Sequence, residues 1–339
     1  MNLIEIKHLS KHFKVLNRRE GLIGAVRDLV STDFRIVKAV DDISLAIRAG
    51  EIVGYIGPNG AGKSTTIKMM TGVLKPSGGE IVVNDLVPYR HRKQNAQNMG
   101  VVFGQRTQLW WDLPVIESFK ILKEIYRVGK KAFDRQMGMF CDLVNLHTLY
   151  STPVRNLSLG QRMLCDITAA FLHTPKIVFL DEPTIGLDIS IKNKIRTVIK
   201  ELNGSAGTTI ILTTHDLGDV EALCKRIIII DKGRIIHDGP LRKVIEMFGA
   251  YRTLKVHIDD LSNDLRDRMK VETEKRFGTV DELVVQCTEP GWVDLSINQE
   301  KIPLRDVLGF VMNRFPIKDV RIVEISMENV VQKIYEETE

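Results

Sequence analysis

One short run, Gly57-Pro58-Asn59-Gly60-Ala61-Gly62-Lys63-Ser64-Thr65, leaves this chain few folds to choose from. It follows the apolar Ile52-Val53-Gly54-Tyr55-Ile56 and leads into Thr66-Ile67-Lys68-Met69-Met70, so the G-x-x-x-x-G-K-[ST] pattern stands between a strand and a helix. Glycines let successive backbone N–H groups turn inward, and the helix N-terminus adds a favourable dipole. Together they cradle the β- and γ-phosphates of a nucleotide. Lys63 supplies the charge, and Ser64 offers a hydroxyl to a Mg²⁺ ion that bridges the phosphates. Residues 57 to 66, Thr66 included, are the candidate nucleotide site.

The remaining sequence reads as α/β. Val101-Val102-Phe103, Ile177-Val178-Phe179-Leu180, Thr209-Ile210-Ile211-Leu212 and Ile227-Ile228-Ile229-Ile230 are continuously apolar rather than alternating, as parallel strands covered on both faces are. Helical patterns separate them, which places the nucleotide at the carboxyl ends of the strands. At 339 residues the chain exceeds one hydrophobic core, so two domains are expected, 1–240 and 241–339. Beyond residue 240 the texture changes. Leu254, Val256 and Ile258 alternate with polar residues, as do Val293, Leu295 and Ile297, which predicts strands with one wet face. Leu304, Val307, Leu308 and Val311 keep helical spacing, and Met327, Val330, Val331 and Ile334 repeat it after a Ser326 cap. The second domain is therefore a small α+β module, and it carries no catalytic constellation.

Composition narrows the partners. The net charge of +5 is modest and scattered except at Tyr89-Arg90-His91-Arg92-Lys93, so no nucleic-acid partner is expected. Cys141, Cys165, Cys224 and Cys287 lie too far apart for a C-x-x-C metal site and read as buried reduced thiols. Met1-Asn2-Leu3-Ile4-Glu5-Ile6-Lys7 has no signal-peptide architecture, and no run approaches the roughly 18 apolar residues of a membrane span. The expected place is the cytosol, or a membrane face if a partner holds the chain there.

Four further motifs carry chemistry. Ile177 to Leu180 end in Asp181-Glu182, and alternate side chains on a strand take opposite faces, so the carboxylates hold distinct roles. Asp181 is expected to reach Mg²⁺, and Glu182 to orient and deprotonate the attacking water. Gln105, after Val101 to Gly104, offers an amide to Mg²⁺ or water, and His215 closes Thr209 to Thr214 where a neutral imidazole meets a γ-phosphate. Leu157-Ser158-Leu159-Gly160-Gln161 precedes an amphipathic helix with Met163, Leu164, Ile167 and Ala170. That is a second anion site, and its own motif brings it no ligand.

The order GPNGAGKST, Gln105, LSLGQ, VFLDEP, IGLD, TTHD resembles the nucleotide-binding subunit of ATP-binding-cassette (ABC) transporters over about residues 1 to 240. The resemblance implies an ABC ATPase core with a helical subdomain at about 106–170, ATP and Mg²⁺ as cofactors, and a head-to-tail pair of subunits. Ser158, Gly160 and Gln161 would then face the γ-phosphate held by Lys63 of the second ATP-binding subunit, in a homo- or heterodimer. Asp188, in the loop Ile185-Gly186-Leu187-Asp188, would lie at the same seam. It also implies an integral membrane permease, with this chain on the cytoplasmic membrane face. VKAVDDIS, EIVGYIGPNGAGKST and DEPTIGLD are similar to exporters whose permease is a separate polypeptide, as in drug-efflux and polysaccharide-export systems. Sugar-type importer subunits carry instead a β-rich regulatory barrel, which the helical spacing of the second domain argues against.

Two departures stand out. Leu159 occupies a usual glycine position of the signature, which requires negative φ there or strain. About 20 residues, Asn17 to Arg35, are inserted between Phe13, which matches the adenine-stacking aromatic, and Lys38-Ala39-Val40. Leu22, Val26, Leu29 and Val30 follow helical spacing, so the insertion lies either on a membrane or permease surface or against its own domain. Arg106 through Pro114 matches the region that grips the permease, with Trp110-Trp111 either an interface pair or a local cluster. The rival reading is a non-transport ABC ATPase acting on nucleic acid or the ribosome. The former should show a long heptad coiled coil and the latter tandem cassettes, and neither pattern is present.

Overall fold

The computed structural model describes residues 2–16, 34–104, 106–214, 216–248, 251–258, 263–278, 283–289 and 291–324. They form two compact units that part between Gly239 and Pro240.

The first unit opens with two long strands, β1 (Asn2–Leu16) and β2 (Phe34–Arg48), paired antiparallel from Asn2↔Arg48 out to Leu16↔Phe34. The inserted residues 17–33, outside the described set, are therefore bracketed by a continuous ribbon. Arg35 belongs to that ribbon, pairing with Val15. Next come β3 (Ile52–Ile56), α1 (Lys63–Met70), β4 (Gly78–Val83), α2 (Arg92–Gln97) and β5 (Met99–Phe103). α3 (Val115–Ile125), α4 (Lys130–Val144) and α5 (Leu159–Phe171) occupy the stretch expected to be helical. Then β6 (Ile177–Asp181), α6 (Ile189–Ala206), β7 (Thr209–Thr213), α7 (Leu217–Leu223), β8 (Arg226–Asp231) and β9 (Arg234–Pro240) complete the unit.

Two sheets share one core. The order β2-β1-β4 makes an antiparallel layer, and β5-β6-β7-β3-β8-β9 makes a six-stranded one whose first five strands run parallel. Ile4, Ile6, Val40, Ile43 and Ile47 of the first pack with Val53, Tyr55, Phe179, Ile211 and Ile228 of the second, around Ile67, Met69 and Met70 of α1. Each fully buried aliphatic contributes about 1.5–3 kcal/mol, so the phosphate loop is pinned at both ends. The continuous apolar runs behave as their pattern requires: Ile177 to Leu180, Thr209 to Thr213 and Ile227 to Ile230 are buried throughout. β5 differs. It is the sheet's edge strand, which leaves Val101 half-buried and Phe103 44% exposed.

The second unit runs α8 (Leu241–Phe248), β10 (Tyr251–Ile258), α9 (Asn263–Phe277), β11 (Leu283–Glu289), β12 (Trp292–Asn298), α10 (Leu304–Arg314) and β13 (Ile317–Glu324). From β10 onward this is a βαββαβ unit with the antiparallel order β11-β12-β10-β13, the split arrangement of ferredoxin-like folds. Leu254, Val256, Leu295, Ile297, Val307 and Val311 form its core. The expectation of a wet sheet face holds only in part: Asp319 and Arg321 of the edge strand β13 are exposed opposite the half-buried His257 and Lys255, but the interior of the face is not wet. Thr253, Asp294, Ser296 and Asn298, on the polar face, are 8% exposed or less. Cross-strand pairing lets them be buried: Thr253 and Ser296 hydroxyls stand 3.3 Å apart, and Lys255 reaches Asp294 at 3.5 Å. The repeat from Met327 to Ile334 lies outside the described residues.

Among the described residues no helix is long and apolar enough to cross a membrane. Cys165 and Cys224 are buried, and burial pushes both thiols up to about 12; Cys141 is half-buried with its Sγ 3.0 Å from the Tyr150 hydroxyl. The Cys287 side chain is outside the described set.

Candidate functional site

The turn between β3 and α1 is shaped by close approach. A Cβ on Gly57 would stand 2.0 Å from the Ile230 carbonyl oxygen, and one on Gly62 2.4 Å from that of Ala39. Gly62 also takes φ 109°, which an L side chain rarely adopts. The loop is held from outside by Gly233, whose N–H donates to the Ala61 carbonyl at 2.9 Å, while the Asp41 N–H donates to Gly233 at 2.8 Å. Lys63 arches over the loop, its ammonium donating to the carbonyls of Gly57 and Pro58 at 2.5 and 3.0 Å.

This loop forms one wall of a cleft of about 380 Å³ lined by Ala39, Pro58 through Thr65, Asp181, Glu182 and Ile185. Ten expected site residues, Pro58 to Thr65 with Asp181 and Glu182, thus come together on one cavity. Thr66 does not. It is buried, donating to the Gly62 carbonyl at 3.1 Å and accepting from the Tyr55 hydroxyl at 3.2 Å, so it fastens the first helical turn from beneath. Gly57 likewise lies under the cleft as an acceptor for Lys63.

The carboxylate pair hangs from the end of β6. Asp181 accepts a short hydrogen bond from Thr213 of β7, and its carbonyl accepts from the Gly104 N–H at 2.7 Å. Glu182 follows with φ 53°, a left-handed conformation that costs a non-glycine residue about 1 kcal/mol or more. Its N–H donates to Thr213 at 2.9 Å, and a Cβ on Gly104 would strike its carbonyl at 2.3 Å. The ends of three strands therefore fix the turn that aims Glu182 into the cleft. Gln105 and His215 lie outside the described residues, next to Gly104 and Thr214 respectively.

Sequence reasoning missed the group that ties these loops together. Asp219, wholly buried, accepts a short hydrogen bond from Thr184, another from Thr214 at 3.3 Å and one from Arg196 Nε at 2.7 Å. Thr184 follows Glu182 by two positions and Thr214 precedes His215, so one carboxylate anchors both turns. Asp216, ion-paired to Lys192 and near Arg196, is pushed up by burial, but these cations outweigh that and hold it below its usual range. Nothing in the local pattern G-D-V-E marks Asp219; its partners come from other elements.

The signature segment sits elsewhere. Ser158, Gly160 and Gln161 do not line the cleft of their own chain. Ser158 caps α5 through a reciprocal capping box: its Oγ accepts from the Gln161 N–H at 3.2 Å, and Gln161 Oε1 accepts from the Ser158 N–H at 2.9 Å. The S-x-x-Q spacing was the signal for this. Leu159 is helical with negative φ, which resolves its departure from glycine without strain. A Cβ on Gly160 would stand 2.8 Å from the Ile191 side chain, so any larger residue there would have to displace it. Asp188 caps α6, accepting from Ile191 at 2.9 Å. Leu159, Ile185 and Ile189 beside them are exposed at 36, 42 and 77%.

Phe13 lies on β1 opposite Val37, two residues before the cleft-lining Ala39, with the Lys11 ammonium 5.2 Å from its ring centroid. It does not itself line the cleft. Trp110 and Trp111 stand on an irregular loop, 38 and 49% exposed, with the Arg162 guanidinium 5.5 Å over the Trp111 ring.

Asp166 of α5 is a buried carboxylate beside that loop. Burial raises it to about 6, although the Gln108 N–H, the Thr107 hydroxyl and Arg162 pull it down. Between about pH 4 and 6 the unfolded chain has lost this proton and the native chain keeps it, so its contribution to stability falls as pH rises through that window. Asp166→Asn keeps an oxygen acceptor and does not titrate. Relative to wild type it should gain on the order of 2–3 kcal/mol in denaturant midpoint experiments at pH 7.5 and almost nothing at pH 4. An equal shift at both pH values would contradict the assignment.

Residues 40–185 match the family model described as ABC transporter. The methionine import ATP-binding protein of Latilactobacillus sakei is 30% identical over 297 residues, 86% of this chain and 83% of its own length. The Nod factor export ATP-binding protein I of Cupriavidus metallidurans is 31% identical over 252 residues, 74% of this chain and 82% of its own. Among solved structures, the dimeric post-hydrolysis state of the ATP-binding cassette MJ0796 bound to ADP and Pi overlays with a TM-score of 0.58 at 25% identity, covering 70% of this chain and 99% of that one.

Proposed function

The chain belongs to the ATP-binding, ATP-hydrolysing subunits of ABC transporters, and from that premise we propose that two such subunits close head to tail on two ATP molecules and drive a separate membrane permease. The observation that carries this is the division of the site: the phosphate loop, Asp181 and Glu182 share one cleft, while Ser158 and Gly160 lie outside it at a capped helix N-terminus, where Ser158 is exposed and Gly160 buried. Each chain therefore holds half of two sites. The exposed Leu159, Ile185 and Ile189 provide apolar area for the seam. Whether the second subunit is another copy or a relative, the geometry needed is the same.

Lys63 and the N–H groups of the loop bind and orient the phosphates; Glu182 takes the proton of the attacking water; closure excludes bulk water. Gln105 and His215 are assigned to the γ-phosphate and the water. Among the described residues no three His, Cys, Asp or Glu side chains cluster as a metal site. One carboxylate, Asp181, and one hydroxyl, Ser64, on the same cleft suit a hard cation that takes its other ligands from phosphates and water. Mg²⁺ held by Ser64, Asp181 and Gln105 would supply charge neutralisation.

Domain 1–240, with a helical subdomain at about 106–170, is assigned the ATPase, and 241–339 an accessory role. The permease docks on the loop that follows β5. Thr107 and Gln108 line a hollow of about 440 Å³ with Val73, Phe103 and Tyr126, and Trp110 and Trp111 are exposed farther along. Replacing both tryptophans by Ser is expected to leave melting and ATP hydrolysis of the isolated subunit intact while weakening capture by the co-purifying membrane protein at least tenfold, since buried interface Trp residues contribute about 2 kcal/mol or more. Full capture at unchanged melting would remove the loop from the interface. The phrases shared with exporter subunits favour export; a vesicle assay of ATP-driven substrate movement decides direction, because the relatives include a methionine importer.

A further inference from the structure

We propose that Asp166 is a positioning residue that clasps the signature helix to the loop segment Thr107-Gln108-Leu109, so that the two shift as one piece when ATP is engaged. One oxygen, Oδ1, accepts from the Thr107 hydroxyl at 2.9 Å and from the Gln108 N–H at 3.0 Å. The Gln108 side-chain Nε2 donates back to the Asp166 carbonyl at 3.0 Å, and the Leu109 N–H donates to Thr107 Oγ1 at 3.1 Å. Two hydrogen bonds to one carboxylate and one to its own backbone make a clasp with little freedom to pivot. Asp166 lies eight residues beyond Ser158 on α5, about 12 Å along the helix at 1.5 Å per residue. A rigid helix carries a displacement over that distance.

The carboxylate ties two segments together rather than filling space. A carboxylate 4% exposed is unfavourable unless paired with a cation or hydrogen-bonded, and a small apolar residue would fill the helix face as well. An apolar residue would, however, leave the Thr107 hydroxyl and the Gln108 N–H without an acceptor, and the loop without its tie. The consequence is placed on kcat rather than on ATP affinity. None of these groups lines the nucleotide cleft, so ground-state binding is untouched, whereas the segment Thr107-Gln108-Leu109 and the helix carrying Ser158 must both arrive in register.

The inference rests on the head-to-tail reading above, and the experiment separates the two. Steady-state ATPase of the full chain is measured for wild type, Asp166→Ala, Asp166→Asn, Thr107→Val and the Asp166→Ala/Thr107→Val pair, with melting of each. The expected result is a fall in kcat of about tenfold for Asp166→Ala with KM for ATP within about twofold, because sub-ångström misplacement acts on the reacting geometry alone. Asp166→Asn, which keeps the acceptor, retains activity within about threefold, and the double variant is no worse than Asp166→Ala, as for two residues in one network. Wild-type kcat in folded Asp166→Ala, or losses that multiply in the double variant, overturns the clasp. If Asp166→Ala does not fold, Thr107→Val with normal melting must lower kcat, and unchanged kcat there overturns it equally. A wild-type chain that forms no ATP-dependent dimer defeats the head-to-tail reading instead, whatever the Asp166 variants do.

Discussion

Glu182→Gln is expected to abolish turnover, by about 10²–10⁴-fold, while leaving ATP binding intact. The amide is isosteric, and Gln meets the left-handed backbone at φ 53° with the same cost as Glu, so the strand-end geometry around Gly104 and Thr213 is preserved. What disappears is the basic oxygen. The contacts that hold the phosphates come from Lys63 and the loop, and these are untouched, so ATP should bind and accumulate unhydrolysed between two closed subunits. Size exclusion with ATP and Mg²⁺ should show a stable dimer that wild type forms only transiently. Turnover within threefold of wild type would remove Glu182 from the role of base.

The parts of the site legible in the sequence are those written in contiguous residues. Gly57 to Thr65 announce their turn because backbone approach at Gly57 and Gly62 admits no Cβ, and a strand ending in Asp181-Glu182 can place those side chains only at the sheet's carboxyl edge. The continuous apolar strands and the capped α5 are readable for the same reason: neighbours in sequence decide them. Thr66 shows the limit within a motif. It belongs to the phosphate-loop pattern, but the helix turn that begins at Lys63 rotates its hydroxyl back onto Gly62 and Tyr55, away from the cleft.

What was not legible depends on distant partners. Asp219 joins Thr184, Arg196 and Thr214 across up to 35 positions, and Asp166 meets Thr107 across 59. A single carboxylate in a helical pattern reads as solvated until the opposing loop is known. In the second unit, alternation correctly placed Leu254, Val256, Leu295 and Ile297 inside, but it could not foresee that Thr253 with Ser296, and Lys255 with Asp294, would satisfy one another and permit burial of the middle of the polar face. β5 misled in the opposite direction. Its apolar run suggests a strand covered on both sides, while sheet order makes it an edge, and the exposed Phe103 faces the hollow assigned to the permease.

Complementation between two damaged subunits is expected to produce the second large effect. Lys63→Ala removes the charge that holds the phosphates, and Ser158→Arg places a bulky cation at the capped end of α5, at a cost to the helix of about 1 kcal/mol from the lost cap. Each variant alone should hydrolyse ATP at no more than a few per cent of the wild-type rate, since the loss of one essential group typically removes at least 10²-fold. In a mixed dimer, however, the intact Lys63 of the Ser158→Arg subunit faces the intact Ser158 of the Lys63→Ala subunit. One whole composite site is rebuilt and the other carries both lesions.

The most direct test of the divided site is therefore the ATPase rate of the two purified variants titrated against each other at constant total protein, with ATP and Mg²⁺ saturating. Two half-sites on separate chains predict a rate that rises above either variant alone and peaks at the equimolar mixture. A rate that stays at the weighted sum of the two single variants across the whole titration would place a complete catalytic site within one chain and contradict the account.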